Sequence, residues 1–201
     1  MDKEIVTITG ISGFLGSQVC LQFLQDGCYK VRGTVRSKTN EKKIGPLRQA
    51  FGELFDQLEL VEADLTKPES ITKALEGTNY VVHTASPFWV QEPKNKDDMI
   101  KPAVEGTMCV CRAAAANKVK RIVLTSSTVS VMERKDFKDG KVFTKDDWSE
   151  VECCGVYSES KVLAEKAAWD HQKSLPEEDR YELVVCNPGL IFGPSLVKEP
   201  F

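Results

Sequence analysis

Tyr157 and Lys161 stand four residues apart in a segment, Val156 to Lys173, whose pattern predicts a helix, so both side chains share one face. A phenol titrates near pH 10 and is a reluctant proton donor at neutral pH. A neighbouring ammonium favours the phenolate and makes the proton easier to give up. The pair could therefore deliver a proton to an oxygen on which negative charge is building. A hydroxyl from another segment could hold that oxygen in place, and Ser127 offers one, in the run Thr125-Ser126-Ser127-Thr128 at the end of an apolar stretch. Alone, Tyr-x-x-x-Lys arises by chance on many helices. It gains weight from a third feature near the N-terminus.

That feature is Ile5-Val-Thr-Ile-Thr-Gly-Ile-Ser-Gly-Phe-Leu-Gly16. Ile5 to Ile8 is a short β-rich apolar run, read as a buried strand. Gly10, Gly13 and Gly16 follow at a spacing of three. Leu15, Val19 and Phe23, with Cys20 and Leu24 beside them, then form the predicted core-facing stripe of a helix, which Gly27 ends. Strand, glycine turn and helix in this order suit a dinucleotide. Glycines let the backbone approach a pyrophosphate, and the helix N-terminus offers N–H groups and partial positive charge. An ordinary tight turn is the weaker alternative. Hydride addition from a nicotinamide to a carbonyl would create the charge that Tyr157 could neutralise, with Ser127 holding the carbonyl oxygen.

Three other positions bear on this site. Tyr29 to Val35 reads as a second strand, and an acid at its end would pair with the adenosine ribose and favour NAD. Arg36 stands there instead, with Lys38, Lys42 and Lys43 close behind, so a 2′-phosphate and NADP are favoured. Asp64 follows a third strand, Leu58 to Val61; it could accept from the adenine amine or cap the helix expected to start at Pro68, and both readings stand. His83 closes a fourth strand, Tyr80 to Val82, and is expected to pack and make one hydrogen bond, not to act as acid or base.

The remaining elements must bring these groups together. Residues 39–52 look helical, with a restart at Gly45-Pro46. Asp97 to Asn117 is a long helix whose Gly106 and Ala113 to Ala116 permit close packing. Arg121 to Leu124 and Tyr181 to Cys186 are the fifth and sixth strands, and Val131 to Trp148 is a long polar loop. Six strands alternating with helices predict an α/β fold: a Rossmann-type, doubly wound parallel sheet with helices on both faces. The glycine turn, Arg36, Asp64, Ser127 and Tyr157-Lys161 would then gather at the carboxyl ends of the strands.

The 201 residues suffice for a substantial core, and the net charge of −3 is spread along the chain. No basic tract points to nucleic acid or an anionic membrane, and no apolar run has membrane-spanning length. The first strand begins directly after Met-Asp-Lys-Glu, which leaves no room for a signal peptide, so a cytoplasmic protein is expected. Seven cysteines in no Cys-x-x-Cys pair, with only His83 and His171, make a metal site improbable. Cys20, Cys109, Cys111 and Cys186, in apolar segments, are expected to be buried thiols.

Taken together, Thr9-Gly10-x-x-Gly13-x-x-Gly16, Asp64-Leu65, Ser126-Ser127 and Tyr157-x-x-x-Lys161 resemble the extended short-chain dehydrogenase/reductase family. Val31-Arg-Gly-Thr-Val-Arg36, Val82-His-Thr-Ala-Ser-Pro-Phe88, Lys101-Pro-Ala-Val-Glu-Gly-Thr107 and Leu163-Ala-Glu-Lys-Ala-Ala-Trp169 are similar to its NADPH-dependent dihydroflavonol 4-reductase-like group. That group includes cinnamoyl-CoA, anthocyanidin and yeast methylglyoxal/aldehyde reductases. The resemblance covers essentially the whole chain. It implies Ser127, Tyr157 and Lys161 as the catalytic triad, Ser127 because the family's serine aligns with the second of the pair. It implies an NADP(H) site formed by Gly10, Ser12, Gly13, Phe14, Leu15, Gly16, Arg36, Lys43, Asp64, Leu65, Thr84, Ala85, Ser86, Thr125, Tyr157, Lys161, Pro188 and Ile191, and a carbonyl or alcohol substrate.

The chain departs from the group at several points. Met132 replaces the asparagine of flavonoid-specific members, which argues against a true dihydroflavonol reductase. Cys153-Cys154-Gly155-Val156-Tyr157 replaces the cinnamoyl-CoA reductase signature, and Ala103 stands where many extended members carry asparagine. Family subunits are longer and end in a small lobe over the substrate. Residues 1–187 are therefore read as the NADP-binding domain carrying the catalytic residues, and 188–201 as the start of that lobe. A fragment, a truncated gene product and a natural short form all fit that length. A monomer and a homodimer are both compatible. The alternative functions are a cofactor-binding or regulatory protein without turnover, and a nucleotide-sugar epimerase or dehydratase that retains NAD, against which Arg36 argues.

Overall fold

Six short β-rich runs form a single parallel sheet: β1 (Ile5–Thr9), β2 (Lys30–Val35), β3 (Leu58–Glu62), β4 (Tyr80–His83), β5 (Arg121–Thr125) and β6 (Glu182–Cys186). The strand order is β3-β2-β1-β4-β5-β6. The computed structural model describes residues 3–86, 93–138 and 140–197. Pro87 and Phe88 of the motif beginning at Val82, and residues 198–201, lie outside the described residues. In β1, Ile5 to Ile8 pair with Lys30 to Gly33 on one side, and Val6 to Thr9 with Tyr80 to His83 on the other. The order reverses at β1, so the crevice between the ends of β1 and β4 is the place where such a sheet binds ligands.

The helices are α1 (Phe14–Asp26), α2 (Glu41–Phe51), α3 (Pro68–Ala74), α4 (Asp97–Ala116), α5 (Val129–Met132) and α6 (Val156–Ser174). Alternation along the strands sends successive side chains to opposite faces. On one face Val6, Ile8, Val31 and Val35 pack against Cys20 and Leu24 of α1 and Ile44, Leu47 and Phe51 of α2. On the other, Val81, Ile122, Leu124 and Leu183 pack against Val110 and Ala114 of α4 and Ala168 of α6. The Rossmann-type arrangement with helices on both faces is thus present.

The first of these faces is covered unevenly. Along β6, Glu182, Val184 and Cys186 are exposed while Leu183 between them is buried. Parallel strands are ordinarily buried on both sides. Here β6 alternates like a one-sided strand at the edge of the sheet: the described sheet partners of α1 are β1 and β2, and the buried cluster on that face holds no β6 residue. This overturns the expectation of a buried Cys186; Cys20, Cys109 and Cys111 are buried as expected.

Three local expectations also change. The fully buried stripe of α1 is Gly16, Ser17, Cys20 and Leu24; Val19 and Phe23 are partly buried beside it, and Leu15 is half-exposed. Helix α2 runs through Gly45-Pro46 without a restart. The clash that usually drives the residue before a proline out of the helical region involves its Cβ, and Gly45 has none. The long excursion after β5 opens with one helical turn, α5, before turning irregular.

Candidate active site

Each strand delivers a candidate group at its carboxyl end. After β1 the chain enters the glycine turn. Gly10 has φ of 73°, and a Cβ there would lie 2.9 Å from the Ala85 Cβ that follows β4. At Gly16 a Cβ would run into the Gly10 carbonyl and the Thr84 hydroxyl. Gly13 caps α1 with its backbone alone, no side chain caps the helix, and its first turn carries no acid. The turn is tied to its neighbours: Gly10 N–H donates to Thr34 Oγ1 at 3.1 Å, and Ile11 N–H to the Thr34 carbonyl at 3.2 Å. Thr84 Oγ1 donates to the Thr9 carbonyl at 2.6 Å. A cradle closed to side chains, beneath a helix N-terminus that no side chain has filled, fits a pyrophosphate.

Arg36 follows β2 and is exposed. Bonds from Thr66 hold the Asp64 carboxyl below the usual range, with smaller help from Lys67 and, last, from the Arg36 guanidinium. Asp64 Oδ1 accepts the Thr66 N–H at 2.9 Å and the Thr66 hydroxyl at 2.8 Å, which shapes the turn into α3; the N-cap position itself is Lys67. Leu65 packs toward Gly106 of α4. One acid that the sequence reading passed over enters here from the next strand: Glu62, whose carboxylate accepts the Lys38 N–H at 2.7 Å. Lys43 is half-buried on α2.

His83 is 3% exposed and faces Thr9 Oγ1 at 2.7 Å, the single-bond packing role expected of it. Burial, with a smaller push from the Lys161 charge, brings its imidazole down to about 3.

On the far side, Ser127 is buried after β5, and Tyr157 lies 43% exposed on the first turn of α6. The Lys161 ammonium sits over the Tyr157 ring, 5.8 Å from its centroid. The two adjacent serines point to different partners. Ser126 Oγ meets Ser130 Oγ at 2.9 Å and donates to Glu165 Oε2 at 2.5 Å. The Ser127 hydroxyl stabilises the Tyr157 phenolate. The Tyr157 phenol is held above its ordinary range; the lowering expected from Lys161 together with the cofactor's own charge is not produced by Lys161 alone. Burial raises it, and Ser127 pulls it only part of the way back. The ammonium lies over the face of the ring, and burial lowers its own proton affinity, with Glu165 opposing that.

Thr125 and Ser86 line a small cavity with His83, Lys161 and Glu165. Ser12, Phe14 and Leu15 are half-exposed in the turn and first helical residues. Pro188 accepts the Thr128 N–H at 3.0 Å, which brings the segment after β6 beside the Ser127 turn, and Ile191 is 43% exposed beyond it. Glu165 and Asn187 were not singled out by sequence. Asn187 Nδ2 donates to Glu165 Oε2 at 2.9 Å and to the Ser127 carbonyl at 3.1 Å. One signal was available: Glu165 is a charged residue on the otherwise small, buried stripe that runs from Lys161 through Ala164 to Ala168.

The sequence profile described as the NAD dependent epimerase/dehydratase family matches residues 6–201. The chain belongs to that family. It is 40% identical over 199 residues to tetraketide alpha-pyrone reductase 1 of Arabidopsis thaliana, a match covering 96% of this chain and 59% of the relative. It is 38% identical over 201 residues to anthocyanidin reductase of the same plant, covering 96% and 57%. Among solved structures, yeast methylglyoxal/isovaleraldehyde reductase Gre2 complexed with NADPH superposes with a TM-score of 0.77 at 29% identity, covering 95% of this chain and 59% of that one. The resemblance to extended short-chain dehydrogenases/reductases of the dihydroflavonol 4-reductase-like group is borne out. The chain spans about 60% of the length of these relatives. No helix among the described residues is long and apolar enough to cross a membrane.

Proposed function

We propose that this chain carries the cofactor-binding and catalytic part of an NADPH-dependent reductase of ketones or aldehydes. The observation that carries the reading is the meeting of Ser127, Tyr157 and Lys161 at the same sheet edge as the glycine cradle. NADPH, when bound, supplies the hydride. Everything else falls to side chains of this chain. The Ser127 hydroxyl donates to the carbonyl oxygen and holds it toward the phenol. Tyr157 gives its proton to that oxygen as negative charge develops. Lys161 stabilises the phenolate left behind. In the reverse direction Tyr157, as the phenolate, would take the proton of an alcohol held by Ser127, with Lys161 beside it, and NADP+ would be the hydride acceptor.

The cradle from Gly10 through Ser12, Gly13, Phe14 and Leu15 to Gly16 would hold the pyrophosphate, and Arg36 with Lys43 the 2′-phosphate. Asp64, Leu65, Thr84, Ala85, Ser86, Thr125, Pro188 and Ile191 would line the adenine and nicotinamide ends. Residues 1–187 would be the NADP-binding domain and 188–201 the start of the substrate-binding lobe. The substrate is a small molecule.

Incubating the 201-residue chain with NADPH and a panel of ketones and aldehydes tests the activity. NADPH oxidation that depends on a carbonyl compound is the expected result. NADPH binding without oxidation would instead favour a cofactor-binding chain without turnover, which its span of its relatives makes the second reading. Tightly held NAD in the purified protein would favour the epimerase or dehydratase reading.

A further inference from the structure

Lys161 is largely shut off from water, and a buried ammonium is costly unless an opposite charge faces it. The charged and titratable groups around it are few. His83 approaches from β4 and stays neutral. Tyr157 lies one turn away on the same helix and carries its proton. Ala103 and Thr107 of α4 and Ser126 after β5 bring no charge. That leaves Glu165, 5% exposed and four residues on from Lys161 along α6, so that both side chains share one helix face. They line the same cavity of about 10 Å³, room for one water and too small for a substrate.

The Glu165 carboxylate is itself held from outside its helix. Ser126 Oγ donates to Oε2 at 2.5 Å, and Asn187 Nδ2 donates to the same oxygen at 2.9 Å. Asn187 also donates to the Ser127 carbonyl at 3.1 Å. The ends of β5 and β6 and the middle of α6 are thereby joined through one buried carboxylate. A carboxylate accepts hydrogen bonds and donates none, and both partners here are donors.

We propose that Glu165 is a positioning residue, a carboxylate clamped by Ser126 and Asn187 whose charge steadies the Lys161 ammonium across their shared cavity, without a direct ion pair, behind Tyr157 and Ser127. This rests on the reductase reading for its consequence in catalysis, because an ammonium at Lys161 is what that reading requires. It does not rest on it for its test. In this reading Glu165 acts through Lys161 and, by way of Asn187, through the Ser127 backbone.

The test is an NMR titration of the chain labelled with 13C at lysine Cε, with Lys161 assigned by its loss in Lys161→Arg. In Glu165→Gln the Lys161 midpoint is expected to fall by at least one pH unit, a tenfold change in proton affinity, with the other lysines unmoved. A folded Glu165→Gln protein with an unchanged Lys161 midpoint would overturn the proposal. The unmutated chain decides the matter if that variant does not fold. Labelled at glutamate side-chain carboxyls, its Glu165 signal should show an inflection at the Lys161 midpoint, and a signal flat through that pH range would overturn the proposal equally. Neither readout needs turnover or bound NADPH, so failure of the reductase reading would be seen separately.

Discussion

Lys161 Nζ stands over the Tyr157 ring, 5.8 Å from its centroid, one turn along α6, while Ser127, buried after the end of β5, favours the phenolate. Because burial outweighs Ser127, the phenol keeps its proton throughout the neutral range. That is the state required of a group that gives a proton to a carbonyl oxygen as charge arrives on it.

Removing the Tyr157 hydroxyl should therefore stop the chemistry and spare cofactor binding. Tyr157→Phe is expected to lower kcat/KM for a reducible carbonyl by about 10²–10⁴-fold, the share usual for a positioned acid. Its NADPH affinity should be nearly unchanged, as read by calorimetry. Retained turnover would rule Tyr157 out as the proton donor.

His83 gives a prediction about acid stability. Its proton affinity in the folded state is depressed to about 3, whereas in the unfolded chain it is ordinary, near 6.5. Between those values the unfolded state binds the extra proton, so stability rises with pH across that window. The contribution is complete above about 6.5 and is lost as pH falls toward 3. Replacing His83 with Gln, which can still bond Thr9, should flatten the acid limb of a denaturation–pH profile by up to about 1.4 kcal/mol per pH unit. Parallel limbs in the two proteins would show that burial of His83 does not set the slope.

The cradle should not tolerate a single methyl group at Gly16, where it would meet the Gly10 carbonyl and the Thr84 hydroxyl. Gly16→Ala is expected to cost about 1–3 kcal/mol in urea unfolding, the usual penalty of overpacking. It should also weaken NADPH and NADH binding together. An Ala variant with wild-type stability and wild-type affinity would mean that the backbone does not approach the pyrophosphate there.

Much of this arrangement is legible from residue types. The strands announce themselves as short β-branched runs such as Ile5-Val6-Thr7-Ile8, and a spacing of four on a helix puts Tyr157 and Lys161 together. Helix α2 runs on where Pro46 suggests a restart, because the rule for a proline depends on its neighbour and Gly45 has no Cβ to clash. The Ser126–Glu165–Asn187 clamp joins three segments far apart in sequence, and no local period reports such a meeting. The direction of the Tyr157 shift was also beyond sequence, because the spacing shows the ammonium but not the burial that opposes it. Cys186 sits in an apolar run and still faces outward, since β6 is the edge strand and only one of its sides is covered, which an apolar run does not report.

Arg36 is the residue on which cofactor choice should turn. Arg36→Ala is expected to cut NADPH affinity by about tenfold or more, about 1.4 kcal/mol, while leaving NADH affinity in place. Equal losses for both cofactors would assign Arg36 to the adenosine in general, not to the 2′-phosphate.

The most direct test of the account is a calorimetric titration of the 201-residue chain with NADPH and then with NADH. Saturable binding of NADPH at least about tenfold tighter than NADH, a difference of about 1.4 kcal/mol, is expected. Equal affinities, or a preference for NADH, would contradict it.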